Sequence, residues 1–524
     1  MSLPRILGIA ASLRNARRGA GKRDLLSQLY SITTKEELFA YLSSESQKNL
    51  GNYNTAGQGE GKDSDEIDHT LHKNRGDAGL SNSEVTLSAA LWAAQREGAE
   101  IEHLSLAEHF TASGRLRHPE IVRRKLLEAD GIIVSGPVYF GDRGSLTESL
   151  IQFIVGDPVL TAAMRGRLYA GIAVGAKRNG GQETTLIYQM LDMLNLGMLT
   201  VGNDSETTAQ YGGTGHAGDV GSMHKDSYGL DTSMGTGRRM ARVLKLFTAK
   251  PVLIDLPKTL FLILQDANEI GARTVDRLVT LFGRSQHSSV INLTGRHINR
   301  CIACDTCPSQ IGPDEDYRCI ISSKDDCMKE LHQKLLYHDM IVPVGVSLQG
   351  AVAGSKYQLF VERTRYLRRC DYIWGDIMVA PLVLEEQGDF RSLPIRMMTS
   401  FLRHHTVMAK PMIGYLRDNE VTNMQLLEES YLLSLGFAAR LAAGRLALAR
   451  ESTALRQYNP IGYSLTFDKD MADERNRRQA AAGAARRHRL LTEAEKRLEA
   501  PSAAGGVPIP DFTVNSPSEK LEIN

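Results

Sequence analysis

Short apolar runs alternate with helix-period stretches along most of this chain. Residues 5–11, around Ile6-Leu7-Gly8-Ile9-Ala10, read as a first buried strand, and residues 100–104, 132–135, 167–174 and 198–201 continue the series. Between them lie predicted helices. One starts with an N-cap at Ser83, carries Val85, Leu87, Ala90, Leu91 and Ala94 on its apolar positions and ends near Gly98. Others cover 120–129, run from Ser145 with Leu146, Leu150 and Phe153 inward, run from Thr184, and close the series at 238–247. Strands that alternate with helices predict a parallel sheet covered on both faces.

The pattern restarts after Pro251 and Pro257. Strands are expected at 260–264, 290–293, 377–384 and 412–416, with helices at 275–282, from Asp325 to His338, and from Tyr357 to Leu367. Asp339 to Gly345 stands where Ala129 to Gly141 stands in the first half, which suggests a distant internal duplication. Residues 421–450 read as a closing helix. The chain thus divides into 1–248, 257–450 and a tail over 451–524. Residues 16–80 interrupt the first βα connection; a helix is expected over 35–42, and the Ser-, Asn-, Gly-, Asp- and Lys-rich stretch 43–80 reads as mobile. An interruption of that length serves as a lid, a partner surface or a tolerated excursion. In the tail, 473–499 is an Arg-rich pattern whose interleaved Glu residues suit a solvated surface helix, and 500–524 reads as disordered.

Composition narrows the function classes. With 524 residues, 42% hydrophobic and 23% charged, the chain has an ordinary globular make-up. A formal net charge of +1 gives no global field for nucleic acid, and no run of about 18 apolar residues suggests a membrane span. The N-terminus enters a strand with no export signal, so a cytoplasmic location is expected. Six cysteines, clustered rather than spread, point to metal or redox chemistry.

Three segments carry the candidate chemistry. Ser12-Leu13-Arg14-Asn15 follows the first strand, and Asn82-Ser83 follows the interruption. Hydroxyls, helix N–H groups and an Arg suit a phosphate dianion. Pro137-Val138-Tyr139-Phe140-Gly141 ends a strand with two aromatic rings. Asn179-Gly180-Gly181-Gln182-Glu183 ends another with glycines that permit close backbone approach to a flat ligand. In this order and spacing the segments resemble the NADPH-dependent FMN reductase family of flavodoxin-like proteins. The resemblance implies an α/β fold of two tandem flavodoxin-like doubly wound parallel sheets, with an insertion in the first phosphate loop and a helical C-terminal tail. It further implies FMN held by Ser12, Arg14, Asn82 and Ser83 at the phosphate and by Pro137, Val138, Tyr139, Phe140, Gly141, Asn179, Gly180, Gly181, Gln182 and Glu183 at the ring, with NAD(P)H as electron donor. The Gly-Ala-Gly-Lys run at 19–22 is no Walker A loop, because Ala16 and Arg23 occupy positions that motif needs for Gly and for Ser or Thr.

Cys301, Cys304 and Cys307 form C-x2-C-x2-C; Cys319 follows after eleven residues and Cys327 after seven more. Thiolates at such spacing can share one metal centre. The motif and the Asp325-Asp326 pair after it resemble those of iron–sulfur flavoproteins, a branch of the same family. That resemblance implies a [4Fe–4S] cluster on Cys301, Cys304, Cys307 and a fourth ligand, taken as Cys319 with Cys327 as the rival. Zinc or plain buried thiols are the alternatives. The second half lacks an Arg in its phosphate-loop counterpart, Gln265-Asp266-Ala267-Asn268-Glu269, and is expected not to bind FMN.

These readings converge on an FMN-dependent oxidoreductase passing electrons between flavin and cluster, with a small-molecule substrate or a redox partner protein, no nucleic acid, no membrane, and a homodimer as an open assembly. The rivals are a simple NAD(P)H-dependent FMN reductase acting on quinone, azo or nitro compounds without a cluster, a biosynthetic flavoenzyme closed by the insertion, and a non-catalytic flavin or zinc scaffold. No residue stands out as a general acid or base; Tyr139, Arg178 and His216 are candidates, with structural or cofactor-lining roles the stronger reading.

Overall fold

The computed structural model describes residues 3–13, 24–52, 61, 63, 65–66, 79–111, 113–204, 209–249, 256–281, 287–304, 306–307, 311–348, 355–368, 372–386, 392–450 and 469–499. Arg14, most of the polar stretch after Asn52 and the tail 500–524 lie outside the described residues. Contacts divide the chain into two compact units, 1–248 with 462–467 and 249–461 with 468–524.

In the first unit the strands are β1 (Arg5–Ala10), β2 (Glu100–Ser105), β3 (Gly131–Tyr139), β4 (Asp142–Arg143), β5 (Leu168–Gly175), β6 (Leu199–Thr200) and β7 (Gly213–His216). The parallel order is β2-β1-β3-β5, with β6 pairing the start of β5 and β7 its end. The chain order therefore reverses between β1 and β3, the switch point at whose carboxyl edge doubly wound sheets bind ligands. The strand β3 runs past its apolar core to Tyr139, and the short β4 then folds back antiparallel against Val138 and Tyr139. β7 looks in sequence like a Gly-rich loop. Its glycines are closely packed: a Cβ on Gly213 would stand 3.0 Å from Ile172 Cγ1 and one on Gly215 2.9 Å from Met223 Sδ.

The helices of this unit are α1 (Leu25–Ser31), α2 (Lys35–Asn52), α3 (Asn82–Arg96), α4 (Pro119–Glu128), α5 (Ser145–Gly156), α6 (Pro158–Met164), α7 (Gln182–Asn195) and α8 (Ser227–Thr248). α2 runs ten residues past the expected end at Leu42. Both early helices are docked: Trp92 Nε1 donates to the Ile32 carbonyl at 3.0 Å, and Lys35 pairs with Asp231 at 2.6 Å. α8 begins at Ser227, well before the expected 238, despite Gly229, Gly235 and Gly237. Glycine costs about 1 kcal/mol in a helix. The gain is close approach: a Cβ on Gly237 would lie 1.9 Å from the Ala90 carbonyl oxygen in α3.

The second unit contains β8 (Thr259–Gln265), α9 (Ile270–Thr280), β9 (Ser288–Asn292), α10 (Met328–Leu331), β10 (Met340–Ser347), α11 (Ser355–Arg363), β11 (Met378–Val379), β12 (Leu382–Glu386), α12 (Leu393–Leu402), β13 (Val407–Met408), β14 (Met412–Arg417), β15 (Glu420–Val421), α13 (Met424–Arg450) and α14 (Lys469–Glu499). Its order is β9-β8-β10; β10 pairs β11 at its start and β12 at its end, β13 pairs β11 and β14 pairs β12; all are parallel, and β15 adds an antiparallel edge on β14. The helix expected from Asp325 to His338 is one α-turn followed by a 3-10 turn at His332–Leu335. α13 is long and apolar enough to cross a membrane by composition, but 72% of its apolar window is buried, as suits a core helix. The Arg-rich α14 is not the solvated helix its Glu residues suggest. Arg486 pairs with Asp314 at 2.6 Å, Arg497 with Asp339 at 2.9 Å and Glu493 with Lys258 at 2.6 Å. Its charges meet opposite charges of the same unit, so one face docks.

Candidate functional site

At the carboxyl edge of the first sheet, α3 is capped by Ser81 rather than Ser83. Ser81 Oγ accepts from Glu84 N at 3.3 Å, and Glu84 Oε2 accepts from Ser81 N at 3.4 Å, a reciprocal capping box. Ser83 lies inside the first turn and is buried; its carbonyl accepts from the Ser135 and Thr86 hydroxyls, both at 2.8 Å. These bonds pin the N-terminus of α3 over β3. The buried Ser12 lies near the end of the described part of the β1 loop. Asn82 is committed to a neighbouring turn, donating to the Asp219 carbonyl at 2.9 Å and accepting from Met223 N at 3.2 Å. Ser81 thus takes the Glu84 N–H, and the helix dipole still favours negative charge at this end of α3.

The two expected ring loops meet directly. A Cβ on Gly181 (φ +100°) would sit 2.8 Å from Gly141 Cα and 3.3 Å from Val138 Cγ1. Gly141 itself has φ +80°, and Phe140 (φ 53°) and Asn179 (φ 57°) share the left-handed region. Non-glycine residues there cost about 1–3 kcal/mol, and they collect at ligand clamps. Phe140 is fully exposed, while the half-exposed Tyr139 leans toward Gly144, whose Cβ would lie 3.3 Å from its ring. Gln182 is buried; its Nε2 donates to the Lys177 carbonyl at 2.8 Å and the Gly215 carbonyl at 3.1 Å, and its Oε1 has no partner among the described residues. Gly180 and Glu183 flank this turn on the exposed side. Among the described residues, the expected site residues thus gather in two groups: Ser12, Asn82 and Ser83 on the β1 side, and the paired loops 137–141 and 179–183 beyond β3 and β5.

Sequence reasoning singled out Arg178 but missed the other residues that brace these loops. Arg143 holds the β3–β4 hairpin between helices, reaching Glu148 of α5 at 2.7 Å and Asp192 of α7 at 2.8 Å. Burial alone would lower its guanidinium pKa; Glu148 and Asp192 reverse that and raise it. Asp226 accepts from His216 N at 2.7 Å and pairs with Arg178, whose guanidinium also lies 5.0 Å from the Tyr228 ring centre. Arg178 therefore clamps the end of β7 to the start of α8 through Asp226. The signals, single charged residues in loops, carry no periodicity to find them by.

In the second unit the corresponding helix end is filled by the protein itself. Asp266 Oδ1 accepts from Gly271 N at 2.7 Å and Ala267 N at 2.8 Å, and its Oδ2 accepts from Ala272 N at 3.0 Å. A carboxylate thus occupies the N-terminus of α9, where an anionic ligand would otherwise bind.

The cysteines lie in the segment between β9 and β10. Cys301 and Cys319 are half-buried, Cys304 is exposed, and Cys307 and Cys327 are buried; none of these five is in a disulfide. Burial pushes the Cys307 thiol pKa up, and Cys319, Cys304 and Cys301 add to the rise. Burial, and then Asp326, push the Cys327 thiol pKa up. Cys307 thus lies within electrostatic reach of the other three expected ligands. Among the described residues no three His, Cys, Asp or Glu side chains are already converged to hold a metal ion.

A buried ion pair ties the two ends of this segment. Arg363 Nη1 donates to the Asn299 carbonyl at 2.9 Å and to Asp326 Oδ2 at 2.5 Å. Its Nη2 donates to Tyr317 Oη at 2.6 Å and the Ile321 carbonyl at 3.2 Å. Asp326 also accepts from Asn299 N at 2.8 Å and Met328 N at 3.0 Å. One guanidinium therefore holds the backbone just before Cys301, the Tyr317 side chain before Cys319 and the Ile321 backbone after it.

The family model described as NADPH-dependent FMN reductase matches residues 76–211. An iron–sulfur flavoprotein of Methanocaldococcus jannaschii is 34% identical over 179 residues, covering 32% of this chain and 91% of the relative. An iron–sulfur flavoprotein of Methanosarcina thermophila is 28% identical over 181 residues, covering 32% of this chain and 89% of its own. An NAD(P)H dehydrogenase (quinone) of Acidovorax ebreus is 32% identical over 130 residues, covering 22% of this chain and 64% of its own. A match of this identity across nearly the whole of a relative, joined to a 2-1-3 switch point with facing glycine loops, settles the kinship: the chain belongs to the NADPH-dependent FMN reductase and iron–sulfur flavoprotein family and is a flavin-dependent oxidoreductase.

Proposed function

We propose that the first unit binds FMN, that the second carries an iron–sulfur cluster on Cys301, Cys304, Cys307 and Cys319, and that the enzyme exchanges electrons between an NAD(P)H-class donor and a small molecule or redox partner protein. The observation that carries the flavin half is the glycine-to-glycine closure of loops 137–141 and 179–183, a cradle that a Cβ would fill. FMN bound there supplies two-electron acceptance and one-electron release. The chain's own part is binding and orientation. The α3 N-terminus and Ser12 receive the phosphate, Tyr139 and Phe140 border the ring, and Arg143 and the Asp226–Arg178 clamp keep the walls fixed.

The donor set of the second unit fits a cluster by its chemistry: four thiols, with Cys307 under the electrostatic influence of the other three. We take the shared strand order of the two units as an internal duplication of a flavodoxin-like fold. Asp266 supports a single flavin per chain, since its carboxylate already holds three N–H groups and would repel a phosphate.

The test is an anaerobic absorption spectrum with flavin, iron, zinc and acid-labile sulfide measured on one sample. About one flavin and roughly four iron per chain are expected. Flavin without iron or sulfide, in protein kept free of oxygen, would sink the cluster and leave a reductase of the quinone, azo or nitro type. Two flavins per chain would overturn the role given to Asp266.

A further inference from the structure

The Arg-rich helix α14 has no part in the function above, yet it reaches into the cysteine segment. Asp314 lies between Cys307 and Cys319. Its Oδ2 accepts from Arg486 Nε at 2.7 Å and from Arg489 Nη1 at 3.0 Å, and its Oδ1 accepts from Arg486 Nη2 at 2.6 Å. The Arg486 and Asp314 side chains are only 7% and 3% exposed. Arg489 continues to Glu315 at 3.0 Å and lies 4.0 Å over the Tyr337 ring. Ile311 packs on Ala482 of the same helix. A chain segment some 170 residues downstream thus grips the middle of the loop that separates the third thiol from the fourth.

We propose that Asp314, Arg486 and Arg489 are positioning residues for the metal loop: α14 is a strap that fixes residues 311–318 and so keeps Cys319 beside Cys301, Cys304 and Cys307. The inference rests on the cluster reading. Eleven residues separate Cys307 from Cys319. A free loop of that size pays closure entropy each time its ends meet, and an anchor at its centre removes part of that cost before metal arrives. A bidentate, buried Arg–carboxylate pair suits an anchor, because losing either partner strands a charge in the interior. Linkage makes the effect reciprocal: if docking of the helix favours the cluster, the cluster favours docking by the same factor.

The experiment compares wild type, Arg486→Ala/Arg489→Ala and Arg478→Ala, all full length and purified without oxygen. Arg478 sits half-exposed on the same helix, paired with Glu474 one turn away, and serves as control. Iron and acid-labile sulfide per chain are expected to fall at least tenfold in the double variant, with flavin content and the control unchanged. Wild-type iron and sulfide in the double variant overturn the strap. Wild-type protein without iron or sulfide overturns the cluster reading, and the strap with it. Should the double variant misfold, hydrogen exchange on wild type decides: removing iron is expected to raise exchange across 482–494 at least tenfold, and unchanged protection after proven iron loss overturns the proposal.

Discussion

Gly181 faces Gly141 so closely that a single added methyl carbon would stand 2.8 Å from the Gly141 Cα. With φ at +100°, Gly181 also holds a backbone angle that any other residue adopts only under strain. Gly181→Ala is therefore expected to push loops 137–141 and 179–183 apart. FMN affinity, followed by flavin fluorescence during titration, should fall at least tenfold, while the far-ultraviolet spectrum of the protein stays as in wild type. An unchanged dissociation constant would show that these loops are not the flavin wall.

Gly237 sets helix propensity against packing. Alanine there would add about 1 kcal/mol of helix stability. Its Cβ, however, would lie 1.9 Å from the Ala90 carbonyl oxygen, a backbone atom that cannot swing away. Overpacking of this kind costs about 1–3 kcal/mol or more, so Gly237→Ala is expected to destabilise the first unit. Urea midpoints would decide; a stabilised variant contradicts the close α3–α8 contact.

Arg363 and Asp326 are both wholly buried. Removing one leaves the other charge stranded, at a cost of about 3–5 kcal/mol. Arg363→Met is expected to show that loss in chemical denaturation of the second unit. Arg363→Met with Asp326→Leu should recover a substantial part of it, since no lone charge remains. Strictly additive losses would argue that each residue acts separately.

Cys319 and Cys327 should separate cleanly. Cys319→Ser is expected to lower iron and sulfide at least severalfold, because Cys319 acts with Cys304 and Cys301 on the buried Cys307, and Cys327→Ser to leave them near wild type. The reverse pattern, by metal analysis of the two purified variants, would exchange their roles.

His404 lies buried between Trp374, Phe401 and Thr364, and burial, then Arg368, pushes its pKa down to about 3. Unfolded, it titrates near the usual value of about 6.5. The unfolded chain therefore takes up a proton that the native state refuses. The stability this confers is present above about pH 6.5 and is lost as pH falls from there toward about 3. His404 should account for about 2 kcal/mol of loss between pH 7 and 5, before the paired carboxylates titrate. His338, pushed down to about 4 by burial, adds to the same slope. His404→Phe is expected to flatten it in denaturant titrations at several pH values; an unaltered slope would rule His404 out as its source.

Much of the architecture is legible in the amino-acid sequence, because alternating burial leaves a local signature. Leu168–Gly175 and Met340–Ser347 are buried at every position and read as strands from composition alone. The paired loops at Pro137 and Gly181 are also readable, since glycine and proline announce where backbone must bend. What misleads local reading is glycine used for contact rather than for bending. Gly213 and Gly215 belong to a strand, and Gly235 and Gly237 to a helix, where neighbouring atoms crowd the place of a side chain.

By itself, then, the sequence determined the alternation of strands and helices, the placing of two glycine-bearing loops at strand ends and the grouping of the cysteines, all features whose physics acts between near neighbours in the chain. Tertiary structure alone decided that Ser81 caps α3, that Asp266 fills the helix end of the second unit, that Arg363 closes the cysteine segment and that α14 docks through Arg486 on Asp314. The long-range pairs among these depend on charges brought together from opposite ends of a fold. A lone Arg or Asp looks solvated in sequence, and only burial beside its partner reveals what it holds.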